Sequence, residues 1–200
     1  MHPDMFKRLP VYLTSLLVAA LVFSCDVLDK EDDPAPDTGG VSDSLHFSFK
    51  TPDWSRNIDC SQLDLPSYGL DNQNYYVSAT SQSTKNTFFL SFPKDSSAIV
   101  NSSNLKKYAI AEYTENDGPF QFSLKLPLTD GSSARLVSKG GLSEESYNEI
   151  TAVKYMGRDG SSAVFSIKGR YAMTAYELNN STNEKAVSGT YHFKVKTTTR

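Results

Sequence analysis

The side chains best suited to nucleophilic or metal chemistry in this 200-residue chain are three histidines and two cysteines, and their spacing does not assemble a site. Zinc needs His and Cys ligands clustered at short spacing; here His46, His192 and Cys60 stand far apart in sequence. His46 and His192 fall on the polar phase of alternating stretches, beside Ser48 and Lys194, which reads as solvated surface. Cys60 reads as a small buried hydrophobe. No G-x-S-x-G elbow presents a serine nucleophile. Glu112, Glu115 and Asp117 group together, as do Glu144 and Glu145. Glycoside hydrolysis needs two carboxylates facing across a cleft, whereas acids in turns are usually solvated. Asp71-Asn72-Gln73-Asn74 has the start of a calcium loop but no glutamate completing the twelve-residue pattern. The sequence is therefore read as non-enzymatic, with no metal and no cofactor.

Binding chemistry has a better candidate. Thr51 to Asn74 reads as a long irregular connection, and such connections in compact domains tend to be functional or disordered. It carries the only tryptophan, Trp54, with Asp53, Arg56 and Tyr68. Aromatic rings set among carboxylates and amides suit sugars, because the ring face meets the C–H face of a pyranose. The competing reading makes Trp54, Leu63 and Leu65 caps on an open end of the core. Tyr76, Tyr113 and Tyr176 are too dispersed in sequence to be assigned to one surface.

The elements that must position these residues are strands. Leu45, Phe47 and Phe49 alternate with His46, Ser48 and Lys50, and Phe120 to Leu126 repeats the pattern most clearly. Further strands are read over 75–79, 87–92, 107–113, 149–156, 163–178 (bent at Gly169) and 187–197. Leu136 and Val137 are ambiguous. Asp117-Gly118, Asp130-Gly131 and Asp159-Gly160 supply turns where positive φ is needed. Ser143 to Tyr147 is the one stretch read as a helical turn. About eight antiparallel strands with short turns predict an all-β sandwich, with a closed antiparallel barrel as the alternative. Long strands with one apolar side favour the sandwich, since a second sheet must cover that side.

Charge excludes one class of partner. The net charge is −3, with seven acids and one lysine in Asp26 to Ser44, and 17 cations against 15 acids from Leu45 onward. A nucleic-acid surface needs a strong basic surplus, so no nucleic acid is expected.

Lys7 and Arg8 followed by Leu9 to Ser24, 16 residues, have the layout of a secretory leader. The run falls short of the roughly 20 apolar residues of a spanning helix. Asp4 is out of place in a basic leader, and a start at Met5 would remove it. Leu21-Val22-Phe23-Ser24-Cys25 resembles a bacterial lipobox, with Phe23 departing at the tolerant position. That resemblance implies cleavage after Ser24 and lipidation of Cys25; on the residues alone, an ordinary leader cut after Ala20 stays open. The organisation expected is leader 1–24, lipidated Cys25 with an acidic, disordered tether over 25–44, and one all-β domain over 45–200. The acids after Cys25 also resemble the surface-export signal of lipoproteins in gut Gram-negative anaerobes, and Asp43-Ser44-Leu45 matches a short O-glycosylation motif of the same bacteria. Lipidation would leave Cys60 without an intrachain disulfide partner.

Gly169-Arg170-Tyr171 and Val187-Ser188-Gly189-Thr190-Tyr191-His192-Phe193, with Asn148-Glu149-Ile150, are similar to small surface lipoproteins of those bacteria that carry an uncharacterised all-β domain. The resemblance covers about 50 residues and implies a β fold and a surface location, with no activity. The expectation is an outer-membrane, cell-surface lipoprotein that binds a ligand, a glycan foremost, without catalysis. The alternative is a structural or protein-interaction subunit of an envelope assembly.

Overall fold

The computed structural model describes residues 40–63, 65–80, 87–113 and 115–198. The leader 1–24, Cys25 and the tether as far as residue 39 lie outside the described residues. Alternation becomes strand wherever it is strict. In β7 (Phe122–Pro127), Phe122, Leu124 and Leu126 point inward and are fully buried, while Lys125 points outward. The same rule places β1 (His46–Lys50), β4 (Asn74–Thr80), β5 (Thr87–Pro93), β9 (Tyr147–Asp159), β10 (Ser162–Glu177) and β11 (Asn180–Thr198). Four shorter strands complete the sheet: β2 (Ser55–Asp59), β3 (Tyr68–Gly69), β6 (Lys107–Tyr108) and β8 (Arg135–Ser138). A helical turn, α1 (Ser96–Ile99), is capped by Asp95, which accepts from the Ser97 amide, and a 3-10 turn follows over Ser102–Asn104. The turn expected over 143–147 is bend followed by the start of β9.

The two central strands divide the structure. β10 pairs with β11 along its whole length, but its other edge changes partner: Ser162 to Ala172 lie against β9, and Ala175 to Glu177 against β8. The sheet therefore splits at β10. From β8 it runs on through β7, β5, β4 and β3, and from β11 it runs through β1 to β2. It is not closed into a barrel. The two halves fold over each other as a sandwich, and the core between them is aromatic. Phe88 of β5 stacks on Phe193 of β11 with centroids 4.3 Å apart, and Phe122 of β7 meets Tyr171 at 4.6 Å and Tyr191 at 5.3 Å. The Tyr191 hydroxyl donates to Asn148 Oδ1, and Asn148 Nδ2 donates to the Phe120 carbonyl, so these buried polar groups satisfy one another. Phe120 itself adopts φ 57°, a left-handed conformation for a bulky residue at the mouth of β7.

Two tight turns follow the expected chemistry. Asp159 pairs with Ser162 across Gly160-Ser161, and Gly160 takes φ 58° at the first central position of a hairpin turn. Gly131 takes φ 76° in the β7–β8 loop.

Candidate functional site

Asp53, Trp54 and Arg56 come together, but in a hairpin rather than in an irregular loop. β1 and β2 pair in full register from His46–Asp59 to Lys50–Ser55, joined by a turn in which the Thr51 amide donates to the Trp54 carbonyl at 2.9 Å. The Trp54 indole packs edge-on against Phe49, centroids 4.6 Å apart, with the Arg56 guanidinium over the ring at 5.6 Å. Asp53 pairs with Lys185 at 2.7 Å and Arg56 with Asp130 at 3.0 Å. The ring is half-buried and its Nε1 has no partner among the described residues. This end of the sandwich is thus plugged by an indole whose charged neighbours are held by partners of their own.

Tyr68 stands apart from that hairpin, in the other layer. On edge strand β3 it lies opposite Tyr76 of β4, rings 5.5 Å apart. Tyr76 continues to Phe89 of β5 at 6.0 Å, and Phe89 to Tyr113 at 5.6 Å, edge-on. Lys125 Nζ lies 5.1 Å over the Tyr113 ring. The ladder follows from phase: in β4 and β5, Val77, Leu90 and Phe92 fill the core, so Tyr76 and Phe89 must face out. Tyr68 is 48% exposed and the other three rings are half-buried by one another. On the same face of β4 and β5, the exposed Thr80 bonds the buried Thr87 at 3.1 Å. Four rings form an unbroken run on an outer sheet face, with one cation at the end. Such a surface can stack on successive apolar faces and offer hydroxyls and an ammonium at its margin.

The two histidines are buried, not solvated: His46 is 3% exposed and His192 8%. They are cross-strand partners on the outer face of β1 and β11, and the chain at Asp43-Ser44 crosses over them. Both Nδ1 atoms meet the Ser44 carbonyl, at 2.8 and 3.2 Å. A carbonyl can only accept, so both rings carry their proton on Nδ1. Each Nε2 then accepts a hydroxyl, His46 from Thr190 and His192 from Ser166, both at 2.8 Å. Lys168 bonds the Asp43 carboxylate beside them. Burial, and next the Lys168 charge, hold His192 below the usual imidazole value. Ser166–His192 has the distance of a nucleophile–base pair. Yet β10 is paired on both sides, with β9 and β11, so its amides are engaged in the ladder and none faces an oxyanion at Ser166. The arrangement clamps residues 43–44 onto the sheet.

Asp71, Glu112 and Glu144 are engaged in local structure. Asp71 accepts from the Gln73 and Asn74 amides and from Asn74 Nδ2, which closes a turn instead of a calcium loop. The Asn74 side-chain bond, foremost, lowers its pKa. Glu112 accepts from the Tyr176 hydroxyl at 2.7 Å, and Glu144 pairs with Lys107 at 2.8 Å. Cys60 is buried at 3% exposure, and burial pushes its thiol up to about 11. Among the described residues no three His, Cys, Asp or Glu side chains are grouped as a metal ion would require.

The Tyr76–Phe89–Tyr113 alignment has no signature in one stretch of sequence. Its three residues lie in two strands and a loop; the β4–β5 register sets Tyr76 near Phe89, and the loop carries Tyr113 to the Phe89 ring. No protein-family model, no curated protein and no solved structure matches this chain.

Proposed function

We propose that this chain is a lipid-anchored, non-catalytic binding protein of the outer membrane, displayed at the cell surface, and that its ligand is a glycan chain held on the Tyr68–Tyr76–Phe89–Tyr113 ladder. The ladder is the observation that carries the reading. Rings spaced 5.5, 6.0 and 5.6 Å apart offer repeated stacking faces, and a repeating saccharide offers repeated apolar faces to match them. Nothing in such a surface requires a cofactor. The anchor rests on the lipobox-like Val22-Phe23-Ser24-Cys25 at the end of an apolar run too short to span a bilayer. Acyl chains on Cys25 at about 0.8 kcal/mol per buried methylene would hold the protein on the membrane.

Two experiments test the parts separately. A glycan array probed with the wild-type chain and with Tyr76→Ala should give hits that the variant loses; hits that survive in the variant would move the site elsewhere. Cys25→Ala should yield an unacylated product that leaves the detergent phase, whereas continued acylation would contradict the anchor.

A second reading draws on β2. This strand has β1 on one side and, among the described residues, no strand on the other, so an envelope protein could add a strand there. Its Arg56 and Asp59 are the kind of charges that discourage such pairing. A photo-crosslinker at Asn57 that traps one protein in intact envelopes would favour this reading over glycan binding.

A further inference from the structure

Strand residues three apart face opposite sides of a sheet, yet Tyr155 and Arg158 face the same side. The cause is a bulge. Ala163 pairs with Arg158 and Val164 with Gly157, and then the register jumps so that Phe165 pairs with Tyr155. Met156 is the extra residue, and Gly157 takes φ 117° to accommodate it. Bulges re-aim side chains in this way. Here the result is a cleft of about 390 Å³ between the β9–β10 end and α1, within the about 300–1,000 Å³ typical of ligand sites.

Its floor is Ala163 and Phe165, each 2% exposed. The Tyr155 ring stands 5.5 Å from Phe165, tilted by 57°. Tyr155 and Val100 are about half exposed, at 51% and 47%, so apolar wall faces the opening. Arg158 lines the same cleft with no ion pair or hydrogen bond among the described residues. The neighbouring acids do not neutralise it: Asp159 pairs with Lys196 at 2.9 Å, and Asp95 accepts from the Ser97 amide and hydroxyl. One unpaired guanidinium at the rim of an apolar, aromatic-floored cleft is complementary to a monoanion with an apolar body. A guanidinium matches a carboxylate with two parallel bonds.

We infer that this cleft binds a small amphiphilic carboxylate, its apolar body on Phe165, Tyr155 and Val100 and its carboxylate on Arg158. The inference goes beyond the glycan reading and does not depend on it, because the cleft and the aromatic ladder share no residue.

Calorimetric titration of the full chain with phenylpropionate, octanoate and the uncharged phenylpropionamide tests it. At least one of the acids should bind saturably at one site, and phenylpropionate at least tenfold more tightly than its amide. Arg158→Gln should remove that difference and leave the amide unchanged, and Tyr155→Ala should weaken acid and amide alike. Both side chains are exposed enough for the variants to fold, which an unchanged melting temperature would verify. Tyr76→Ala should leave these affinities untouched. Absence of saturable binding by every acid, equal binding of acid and amide, or full retention of binding in Arg158→Gln would each overturn the inference.

Discussion

Gly189 lies directly across the β10–β11 pair from Tyr171, and the Tyr171 hydroxyl passes over it to donate to the Ser48 carbonyl at 2.9 Å. A Cβ on Gly189 would come within 2.7 Å of that hydroxyl and run into the Ser48 carbonyl. The arrangement is reciprocal. Gly169 lies across from Tyr191, whose ring occupies the space a Cβ would need. The two Gly-x-Tyr triplets thus interlock, each glycine making room for the other's tyrosine.

Gly189→Ala should therefore cost stability, by about 1–3 kcal/mol or more for an overpacked core. The obstacle is backbone of β1, which cannot rotate away as a side chain would. Urea unfolding should show a lower midpoint at unchanged slope. An unchanged midpoint would mean that β1 does not approach β11 this closely.

Trp54→Ala should act on stability and not on glycan binding. The indole is half-buried against Phe49, so the loss should be about 2–3 kcal/mol, below the about 3–5 kcal/mol of a fully buried aromatic. Thermal unfolding measures the first effect and the glycan array the second. A stable variant that has lost its ligand would return the site to the Trp54 hairpin.

Stability should fall on mild acidification. Burial and the Lys168 charge lower the pKa of His192 in the folded protein, while the unfolded ring takes its proton near the ordinary value of about 6.5. Below that pH the unfolded chain binds more protons than the folded one, so stability is lost as pH falls from about 6.5 toward the folded value. The groups facing the ring are Lys168, His46, Asp43 and Ser166. His192→Gln should flatten the dependence of melting temperature between about pH 7.5 and about pH 5.5. An unaltered slope would assign the effect to another group.

What could be read in the sequence divides along physical lines. Strict alternation, as in Phe122, Leu124 and Leu126, reports which face is buried, and so the long strands and the sandwich were legible. β2 was not, because Ser55–Asp59 is an edge strand with a single large apolar residue, Ile58, and thus no alternation to read. Alternation places the histidines on the outer phase of their strands, but phase cannot reveal that Asp43 and Ser44 cross over that face. Tyr68 stands out in the sequence by its place in the long connection Thr51 to Asn74, while its partners Tyr76 and Phe89 need the register of β3, β4 and β5, and Tyr113 the course of a loop. The Tyr155–Arg158 alignment depends on a one-residue bulge, which alternation by itself places on opposite faces.

The central claim is that the aromatic ladder holds a glycan, and the most direct measurement is calorimetric titration with saccharides of increasing length. Using whichever sugar the array identifies, affinity should rise with chain length until the rings are spanned. Tyr68→Ala, at the exposed end, should weaken the longer saccharides and spare the shortest. Tyr76→Ala, in the middle, should weaken all by about 1–3 kcal/mol, the range for a lost anchor ring, when titrated below the variant's own melting temperature. Affinity that does not depend on length, or that survives both substitutions, would contradict the account.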